Sequence, residues 1–191
     1  MGTIQLTRLE EIIEAATDLF KLNGYVGTSM RDLAEAVGME AASLYSHVDS
    51  KDELLQSICF KMAEKFMQSI EQVMNEPNCT NTELLEMIIT DHVRIITEDI
   101  NATAVFWNEW KYLSDPAQTE LSQMQIDYEH KLKSILDAGV ETGEFCINDT
   151  TFTTMAMLSS LNGLQKWRTY SMEPENLGKA FSELFIKGIK S

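Results

Sequence analysis

The sequence of 191 residues has few cysteines: Cys59, Cys79 and Cys146 are scattered along the chain. An odd, unclustered set does not form the disulfide framework of a small secreted domain, so we expect free thiols in a reducing compartment. No apolar run has the length that a membrane-spanning helix needs, and no basic-then-apolar signal peptide opens the chain. With a hydrophobic content of 44%, these absences predict a globular, cytoplasmic protein with a sizeable core.

The motifs of common metal and catalytic sites are also missing. His47, His92 and His130 form no H-x-x-x-H or H-E-x-x-H pattern, and the cysteines form no C-x-x-C pair, so we expect no metal site. There is no glycine-rich phosphate loop and no G-x-S-x-G motif, so we expect neither a cofactor nor enzymatic activity. A spatial acid–base pair, such as His92 with Glu109, leaves a small-molecule enzyme open as an alternative.

Positive charge is scarce as well, since the formal net charge is −15. Residues 1–51 contain four basic and eight acidic side chains, which gives this region a net charge of −4. A broad basic field is the usual electrostatic footprint of a DNA-binding domain. If this region binds DNA, we therefore expect a few local donors, weak non-specific binding and strong salt sensitivity at the specific site.

The most informative stretch is residues 28–53, TSMRDLAEAVGMEAASLYSHVDSKDE. Its first half predicts a helix with one apolar face, because apolar residues recur at i, i+3, i+4 and i+7. Ser29 and Asp32 have the spacing of a capping box, and Gly38 predicts the end of this helix. A second short helix, roughly residues 40–47, turns Leu44 inward and leaves small and polar side chains on its outer face.

This outer face suits the major groove of DNA, which admits a slim helix with short polar side chains near its N-terminus. Hydroxyl groups, amides at helix N-termini and lysines on either side are common phosphate partners. We therefore predict DNA contacts from Thr28, Ser29, Arg31, Ala41, Ala42, Ser43, Tyr45, Ser46, His47 and Lys51. A three-helix packing unit without any DNA role remains open as the alternative.

The segment GYVGTSMRDLAEAVGMEAASLYSHVDSKDELL, residues 24–55, resembles the helix-turn-helix of the TetR/AcrR repressor family. Two positions depart from the family pattern: Val48 stands where an aromatic residue is usual, and Ala42 where glycine or a longer residue is common. These departures bear on the operator sequence more than on the fold. The matching residues are Phe20, Asn23-Gly24-Tyr25, Thr28, Arg31-Asp32-Leu33-Ala34, Gly38, Leu44-Tyr45, Ser50-Lys51 and Glu53-Leu54.

The remaining sequence predicts an all-α fold with about nine helices, because no stretch alternates with the period of a strand. Capping patterns occur at Thr7, at Ser50 with Glu53, at Thr80 or Asn81, and at Asn148 or Asp149. The predicted helices cover residues 7–23, 51–75, 80–99, 102–113, 116–141, 149–170 and 174–189. We place a helix-turn-helix DNA-binding domain at residues 5–66 and a ligand-binding and dimerisation domain at residues 67–191, with no flexible linker between them.

The second domain is rich in methionine and aromatic residues, which adapt well to apolar ligands. The resemblance implies an inducer pocket among its central helices. The alternative is that these residues are ordinary core. The predicted lining is Met62, Phe66, His92, Phe106, Trp107, Glu109, Trp110, Met124, Tyr128, Met155 and Asn162.

The last two predicted helices have wide apolar faces with small residues that allow close approach of another helix. The resemblance implies that two subunits pair there, which would present two reading helices to a pseudo-palindromic operator. Packing of both faces within one chain remains the alternative. The predicted interface residues are Phe152, Ser159, Gly163, Trp167, Phe181, Leu184 and Phe185.

Together these features predict a repressor that binds double-stranded operator DNA as a homodimer and is released by a small apolar inducer. The segment FWNEWKYL is similar to a subgroup of the family that responds to acyl-CoA thioesters or related acids, which implies an acyl-type ligand. In the family, the helix that begins at Lys51 links the two domains, so its tilt can set the spacing of the reading helices. A helical adaptor that binds protein instead of DNA is a further alternative.

Overall fold

The computed structural model of the chain describes residues 7–167 and 172–190. Within these residues it contains nine α-helices and no strand, and an isolated β-bridge pairs Phe145 with Lys190. The prediction of an all-α fold is therefore confirmed. The helices are α1 (Arg8–Asn23), α2 (Met30–Ala36), α3 (Ala41–Leu44), α4 (Lys51–Met74), α5 (Asn81–Glu98), α6 (Ile100–Glu109), α7 (Asp115–Glu141), α8 (Thr150–Asn162) and α9 (Pro174–Ile189).

The chain divides into two compact units. The N-terminal unit contains the described residues through Met62 together with Asn101–Leu121, and the C-terminal unit contains the remainder. The division falls within α4 and within α7, so each of these helices contributes residues to both units. The sequence offered no sign that α6 and the start of α7 group with the helix-turn-helix, and the proposed domain boundary at residue 66 stays a prediction.

Side-chain caps fix most of the helix starts. Thr7, Ser29 and Thr80 each accept a hydrogen bond from the backbone N–H three residues on, and the acidic residue there accepts one from the cap N–H. These reciprocal bonds satisfy donors that a helix N-terminus otherwise leaves unpaired. The predicted capping boxes at Thr7 and Ser29 are confirmed, and Thr80, rather than Asn81, caps α5.

The start of α4 differs from the predicted capping box. Ser50 Oγ accepts the Glu53 N–H at 3.1 Å, as expected, but the Glu53 carboxylate accepts the N–H of Asp49 at 2.6 Å. The acidic side chain therefore satisfies a donor one residue further upstream. At α8, Asp149 caps the helix by accepting the Phe152 N–H at 2.9 Å.

Three helices end three or more residues before their predicted last residue. The α3 helix ends at Leu44, because the chain tightens to bonds from Ser46 N–H to Ser43 O (3.1 Å) and from His47 N–H to Leu44 O (3.0 Å). The Ser46 hydroxyl also donates to the Ser43 carbonyl, which competes with a continuing helix. The α6 and α8 helices end in the 3-10 turns Trp110–Tyr112 and Gly163–Lys166. The predicted end of α8, Tyr170, lies outside the described residues.

The core of the N-terminal unit fixes the helix-turn-helix. Ile12, Phe20, Leu33 and Leu44 are almost completely buried, so one apolar side of each of the first three helices faces the same core. Gly38 makes the turn between α2 and α3 with φ +63°, a left-handed conformation that side chains with a Cβ disfavour. The following N–H, of Met39, bonds to Ala34 O at 2.8 Å and closes the end of α2.

In the C-terminal unit, α5 is held at its start and along its length. The Glu144 carboxylate accepts the backbone N–H groups of Asn81 (3.2 Å) and Thr82 (2.9 Å) at the start of α5. Burial alone would raise the pKa of Glu144, but the bonds from Thr82 and Asn81 outweigh it and lower the pKa to about 2. Further along, α9 approaches α5 so closely that a Cβ on Gly178 would lie 3.2 Å from Thr90 Cα.

Candidate DNA-binding and ligand-binding sites

The helix-turn-helix exposes most of the residues for which we predicted DNA contacts. On α3, Leu44 is fully buried, which turns the opposite side of this single helical turn to solvent. Tyr45 follows α3 directly and has 53% of its surface exposed. The exposed residues of the predicted set are Ser29, Arg31, Ala41, Ala42, Ser43, Tyr45, Ser46 and His47.

The two residues of the predicted DNA-binding set that are not fully exposed make internal bonds. Thr28 is only 2% exposed, and its hydroxyl lies 3.0 Å from Gly24 O and 3.2 Å from Leu19 O. Lys51 Nζ donates to Tyr25 O at 2.7 Å and to Thr28 O at 2.8 Å. Within the chain these two side chains hold the loop before α2, because the carbonyl groups of that loop need partners, and their contacts with DNA stay a prediction.

Tyr25 is the centre of this loop, and sequence reasoning missed it. Lys51 Nζ lies 4.2 Å from the centre of its ring, a cation–π contact. The ring of Tyr112 stacks on it at 5.6 Å and 19°, and Phe20 meets it edge-on. Partial burial and the nearby charge of Asp52 raise the pKa of Tyr25, while burial lowers the pKa of Lys51.

The α6 helix is bonded to the N-terminal unit at both ends. At its start, Asn101 accepts a hydrogen bond from Lys21 and donates one to Asp18 at 2.8 Å, and both partners belong to α1. At its end, Glu109 Oε2 accepts the backbone N–H of Tyr25 at 2.9 Å. Glu109 was predicted to line the ligand pocket, whereas its carboxylate here binds the loop that precedes α2.

The other predicted ligand residues of the N-terminal unit belong mainly to its interior. Met62 and Phe106 are 1% and 2% exposed, and Phe106 packs edge-on against Trp107 with ring centres 4.7 Å apart. Trp110 is half-buried in the 3-10 turn after α6. The indole Nε1 of Trp107 is buried and has no hydrogen-bond partner among the described residues. A role of these side chains in ligand binding stays a prediction.

In the C-terminal unit, the structure brings four predicted ligand residues together in one cluster. His92 Nδ1 lies 2.8 Å from Tyr128 Oη, and His92 Nε2 lies 2.9 Å from Asn162 Oδ1. Because Oδ1 can only accept, Nε2 carries the hydrogen and Nδ1 accepts from the tyrosine hydroxyl. The ring of Phe66 packs against His92 with ring centres 4.6 Å apart. We call Phe66, His92, Tyr128 and Asn162 the histidine cluster.

The histidine cluster is uncharged at neutral pH. Burial lowers the pKa of His92 to about 4, although the bond to Asn162 acts in the opposite direction. Burial also raises the pKa of Tyr128, and the nearby charge of Asp91 adds to this effect. The Asp91 carboxylate itself accepts a hydrogen bond from Ser69 at 2.8 Å. The cluster is therefore a neutral, hydrogen-bonded group with the Asp91 carboxylate nearby.

The remaining residues of the predicted pocket lie outside this cluster. Met124 is half-buried on α7, and Met155 on α8 is 54% exposed. Sequence reasoning missed Gln125, whose Nε2 atom is buried without a hydrogen-bond partner among the described residues. Its position one turn before Tyr128 is the signal that could have drawn attention to it.

The predicted dimer interface contains an open groove between α8 and α9, with a volume of about 470 Å³. Large apolar side chains are exposed on this face: Phe152 is 70% exposed, Leu184 66% and Trp167 46%. Phe181 lies within aromatic contact of both Trp167 (5.8 Å) and Phe185 (5.9 Å). Of the seven predicted interface residues, the groove is lined by Ser159, Gly163, Trp167, Phe181 and Leu184.

Two other kinds of site are absent from the described residues. No helix in the described ranges is both long and apolar enough to cross a membrane. No group of three or more histidine, cysteine, aspartate or glutamate side chains, again among residues 7–167 and 172–190, is arranged to hold a metal ion.

Comparison with known proteins identifies the family to which this chain belongs. Residues 12–58 match the model of the bacterial regulatory proteins of the tetR family, and residues 78–189 match the tetracyclin repressor-like C-terminal domain. The HTH-type transcriptional repressor KstR2 of Rhodococcus jostii is 27% identical, over 72% of this chain and 68% of its own length.

Solved structures agree with this match. The TetR family regulator PfmR of Thermus thermophilus is 30% identical, with a TM-score of 0.84 over 94% of this chain and 99% of its own. The structure of AibR in complex with isovaleryl coenzyme A and operator DNA shares the fold, with 21% identity and a TM-score of 0.82 over 93% of this chain and 97% of its own. The chain therefore belongs to the TetR family of DNA-binding transcription regulators.

Proposed function

We propose that this protein is a homodimeric transcriptional repressor that leaves its pseudo-palindromic operator when a small, apolar, acyl-type molecule binds. The observation that carries the proposal is the exposed face of α3, with its alanine and serine side chains, behind the left-handed turn at Gly38. The repressor relative KstR2 and the DNA complex of AibR support this interpretation.

The α3 helix would enter the major groove. Ala41 and Ala42 leave its surface slim, and the Ser43 hydroxyl can donate to or accept from base edges. The Ser46 hydroxyl can accept from a base, since its own hydrogen goes to Ser43 O. The exposed Tyr45 would bind a phosphate, which sets the register on the duplex without specifying sequence. Both donors of Ser29 already bond to the Asp32 carboxylate, so a phosphate contact of Ser29 would need the capping box to open. With only a few cationic side chains on this surface, specific binding would depend on fit more than on overall charge.

Pairing of two subunits along α8 and α9 would place two α3 helices on one duplex. The exposed Phe152 and Leu184, together with the groove around Trp167 and Phe181, form an apolar face of the kind that stable homodimers bury. Small residues in the groove, such as Ser159 and Gly163, would let helices of the partner approach closely. An isologous pair of this kind matches a two-fold symmetric operator.

The inducer is an acyl-type molecule in this proposal, because the histidine cluster is neutral, aromatic and buried, and because AibR was solved with an acyl coenzyme A. Within the N-terminal unit, α6 is bonded to α1 and to the loop before α2. A change at α6 would therefore reach the reading helices directly. Ligand and DNA would then oppose each other by the same coupling free energy.

The experiment is selection of binding sites from random duplex DNA, followed by fluorescence anisotropy with the selected sequence. We expect a sequence with two-fold symmetry. Ala42→Glu adds a negative charge to the exposed face of α3 and should weaken binding more than tenfold, because it repels the phosphates. The control Gln68→Glu adds the same charge on α4, in the C-terminal unit, and should leave the affinity within about twofold. Failure to enrich any sequence would contradict the proposed function.

A further inference from the structure

One buried amide nitrogen in the C-terminal unit has no hydrogen-bond partner among the residues that the structure describes. The buried positions of α7 include Leu121, Tyr128, Leu132 and Leu136, and helical spacing places Gln125 on the same side, four residues after Leu121. Its Nε2 atom is buried and makes no hydrogen bond within the described residues. Because a buried N–H group without a partner destabilises a fold, such groups in native proteins call for a water, an ion or a ligand.

The surroundings of Gln125 fit the polar end of a small molecule. One helical turn further along α7, Tyr128 donates to His92, which itself donates to Asn162. Both ring nitrogens of His92 are thereby engaged and cannot serve the amide. The rings of Phe66 and Tyr128 pack edge-on at 6.0 Å and provide apolar walls. Helical spacing thus puts a donor, which has no partner among the described residues, one turn along α7 from an already hydrogen-bonded cluster with aromatic walls.

The charge around the cluster argues against an anionic ligand. His92 is neutral at physiological pH, because burial lowers its pKa to about 4. Asp91 adds a negative potential, since its charge contributes to the raised pKa of Tyr128 after burial itself. Arg94, two residues from His92, already pairs with Asp91 and Glu98. A carboxylate placed in the histidine cluster would therefore lose its hydration without gaining a cationic partner from the cluster, whereas a neutral carbonyl oxygen loses far less.

We propose that Gln125 Nε2 donates a hydrogen bond to the uncharged carbonyl oxygen of the inducer, so that the regulator selects ketones, esters or thioesters over free acids. This inference rests on the proposed function, and it narrows the acyl-type inducer to molecules whose carbonyl group carries no charge. It also assigns this ligand selectivity to Gln125 on α7, a position that the sequence pattern alone would predict to be ordinary core.

The first test compares ligand pairs with one skeleton on the full-length protein by isothermal titration calorimetry. In each pair the acid replaces the methyl group of the ketone by an oxygen: methyl nonyl ketone with decanoate, and acetophenone with benzoate. We expect at least one ketone to bind ten times more tightly than its acid. Equal or tighter binding of the acids would overturn the proposal. Tighter binding of the corresponding secondary alcohols than of the ketones would also overturn it, because Gln125 would then present its oxygen.

The second test uses two matched variants on α7. Gln125→Leu keeps the size of the side chain and removes the amide, whereas Gln123→Leu changes an exposed glutamine that bonds to Asp127. We expect Gln125→Leu to weaken binding of the preferred ketone at least tenfold and to raise the melting temperature, since an unpaired donor is lost. Gln123→Leu should leave ketone binding unchanged.

Two outcomes separate this inference from the proposed function. If Gln125→Leu lowers the melting temperature and leaves ketone binding unchanged, a buried water serves the amide and the inference is wrong. Operator binding is measured on the same samples by anisotropy. If the protein still binds the selected DNA but shows no preference for ketones over acids, only the role of Gln125 is contradicted. Loss of sequence-specific DNA binding in the unmodified protein contradicts the repressor itself.

Discussion

The two units of the molecule use their interior polar side chains in different ways. In the N-terminal unit, the charged groups of Lys51 and Glu109 bond to the backbone of one loop, at Tyr25 and Thr28. In the C-terminal unit, neutral His92 bonds to two other side chains. A backbone group cannot rotate away from its partner, whereas a side chain can turn to a new one. The first arrangement therefore fixes a conformation, and the second permits exchange.

This difference suits the two tasks of a regulator. Charge-assisted bonds are about twice as strong as neutral ones, so the loop before α2 should keep its shape while α1 to α3 act as one body. The hydrogen bonds of the histidine cluster join uncharged groups, so a ligand can replace them at a small cost in free energy. We therefore expect ligand-dependent rearrangement to begin in the C-terminal unit, and the variants below separate the two kinds of bond.

The largest expected effect is a pH dependence of stability that comes from His92. Its pKa is about 4 in the folded protein, whereas the pKa of an unperturbed histidine is 6.5. Between these values the unfolded chain binds a proton that the folded chain does not, so stability is fully present above pH 6.5 and is lost as the pH falls towards 4. Each pKa unit corresponds to about 1.4 kcal/mol, which gives a loss of about 3 kcal/mol.

Urea denaturation at a series of pH values measures this effect. His92→Gln removes the titrating group and should flatten the curve between pH 6.5 and pH 4. The control His130→Gln changes an exposed histidine on the same unit and should keep the slope of the native protein. If the free energy of unfolding falls equally steeply with pH in His92→Gln and in the native protein, a group other than His92 causes the pH dependence.

The second effect belongs to the N-terminal unit. Lys51→Met keeps the apolar stem but removes the donor that binds Tyr25 O and Thr28 O. Two charge-assisted bonds are lost at a half-buried position, and we expect a destabilisation of about 2 kcal/mol. Operator affinity should fall too, because the loop before α2 loosens. Thermal denaturation, with exposed Lys61→Met on the same helix as the control, measures the difference. A stability equal to that of the control would mean that the two bonds contribute nothing.

Much of the fold could be read from the sequence, because its signals are local. Capping patterns at Thr7 and Ser29, the glycine turn at Gly38 and the apolar spacing of α1 and α2 all concern residues within one turn of each other. The short α3 could not be read in this way. Its length depends on the bond from Ser46 to Ser43, which competes with a helix that the sequence permits equally well.

The residues of the candidate sites could be predicted only where the exposed face of a single helix determines them. The exposed residues of α3 follow from the burial of Leu44, which the apolar spacing indicates. In contrast, the bonds of Lys51 to Tyr25 and of Glu109 to the same loop join residues 26 and 84 positions apart. No pattern marks such partners in advance, since each side chain alone looks like an exposed charge or a pocket residue. Gln125 was missed because its missing bond is a property of the folded chain.

The smallest expected effect tests the bond between α6 and the loop before α2. Glu109→Leu leaves the Tyr25 N–H without its acceptor, and we expect a destabilisation of about 1.5 kcal/mol. Glu109→Gln keeps a carbonyl oxygen that can accept, so it should lose less than half as much. Thermal denaturation of both variants, beside exposed Glu120→Leu as the control, measures the two losses. Equal losses in the leucine and glutamine variants would mean that the negative charge, rather than the hydrogen bond, holds the loop to α6.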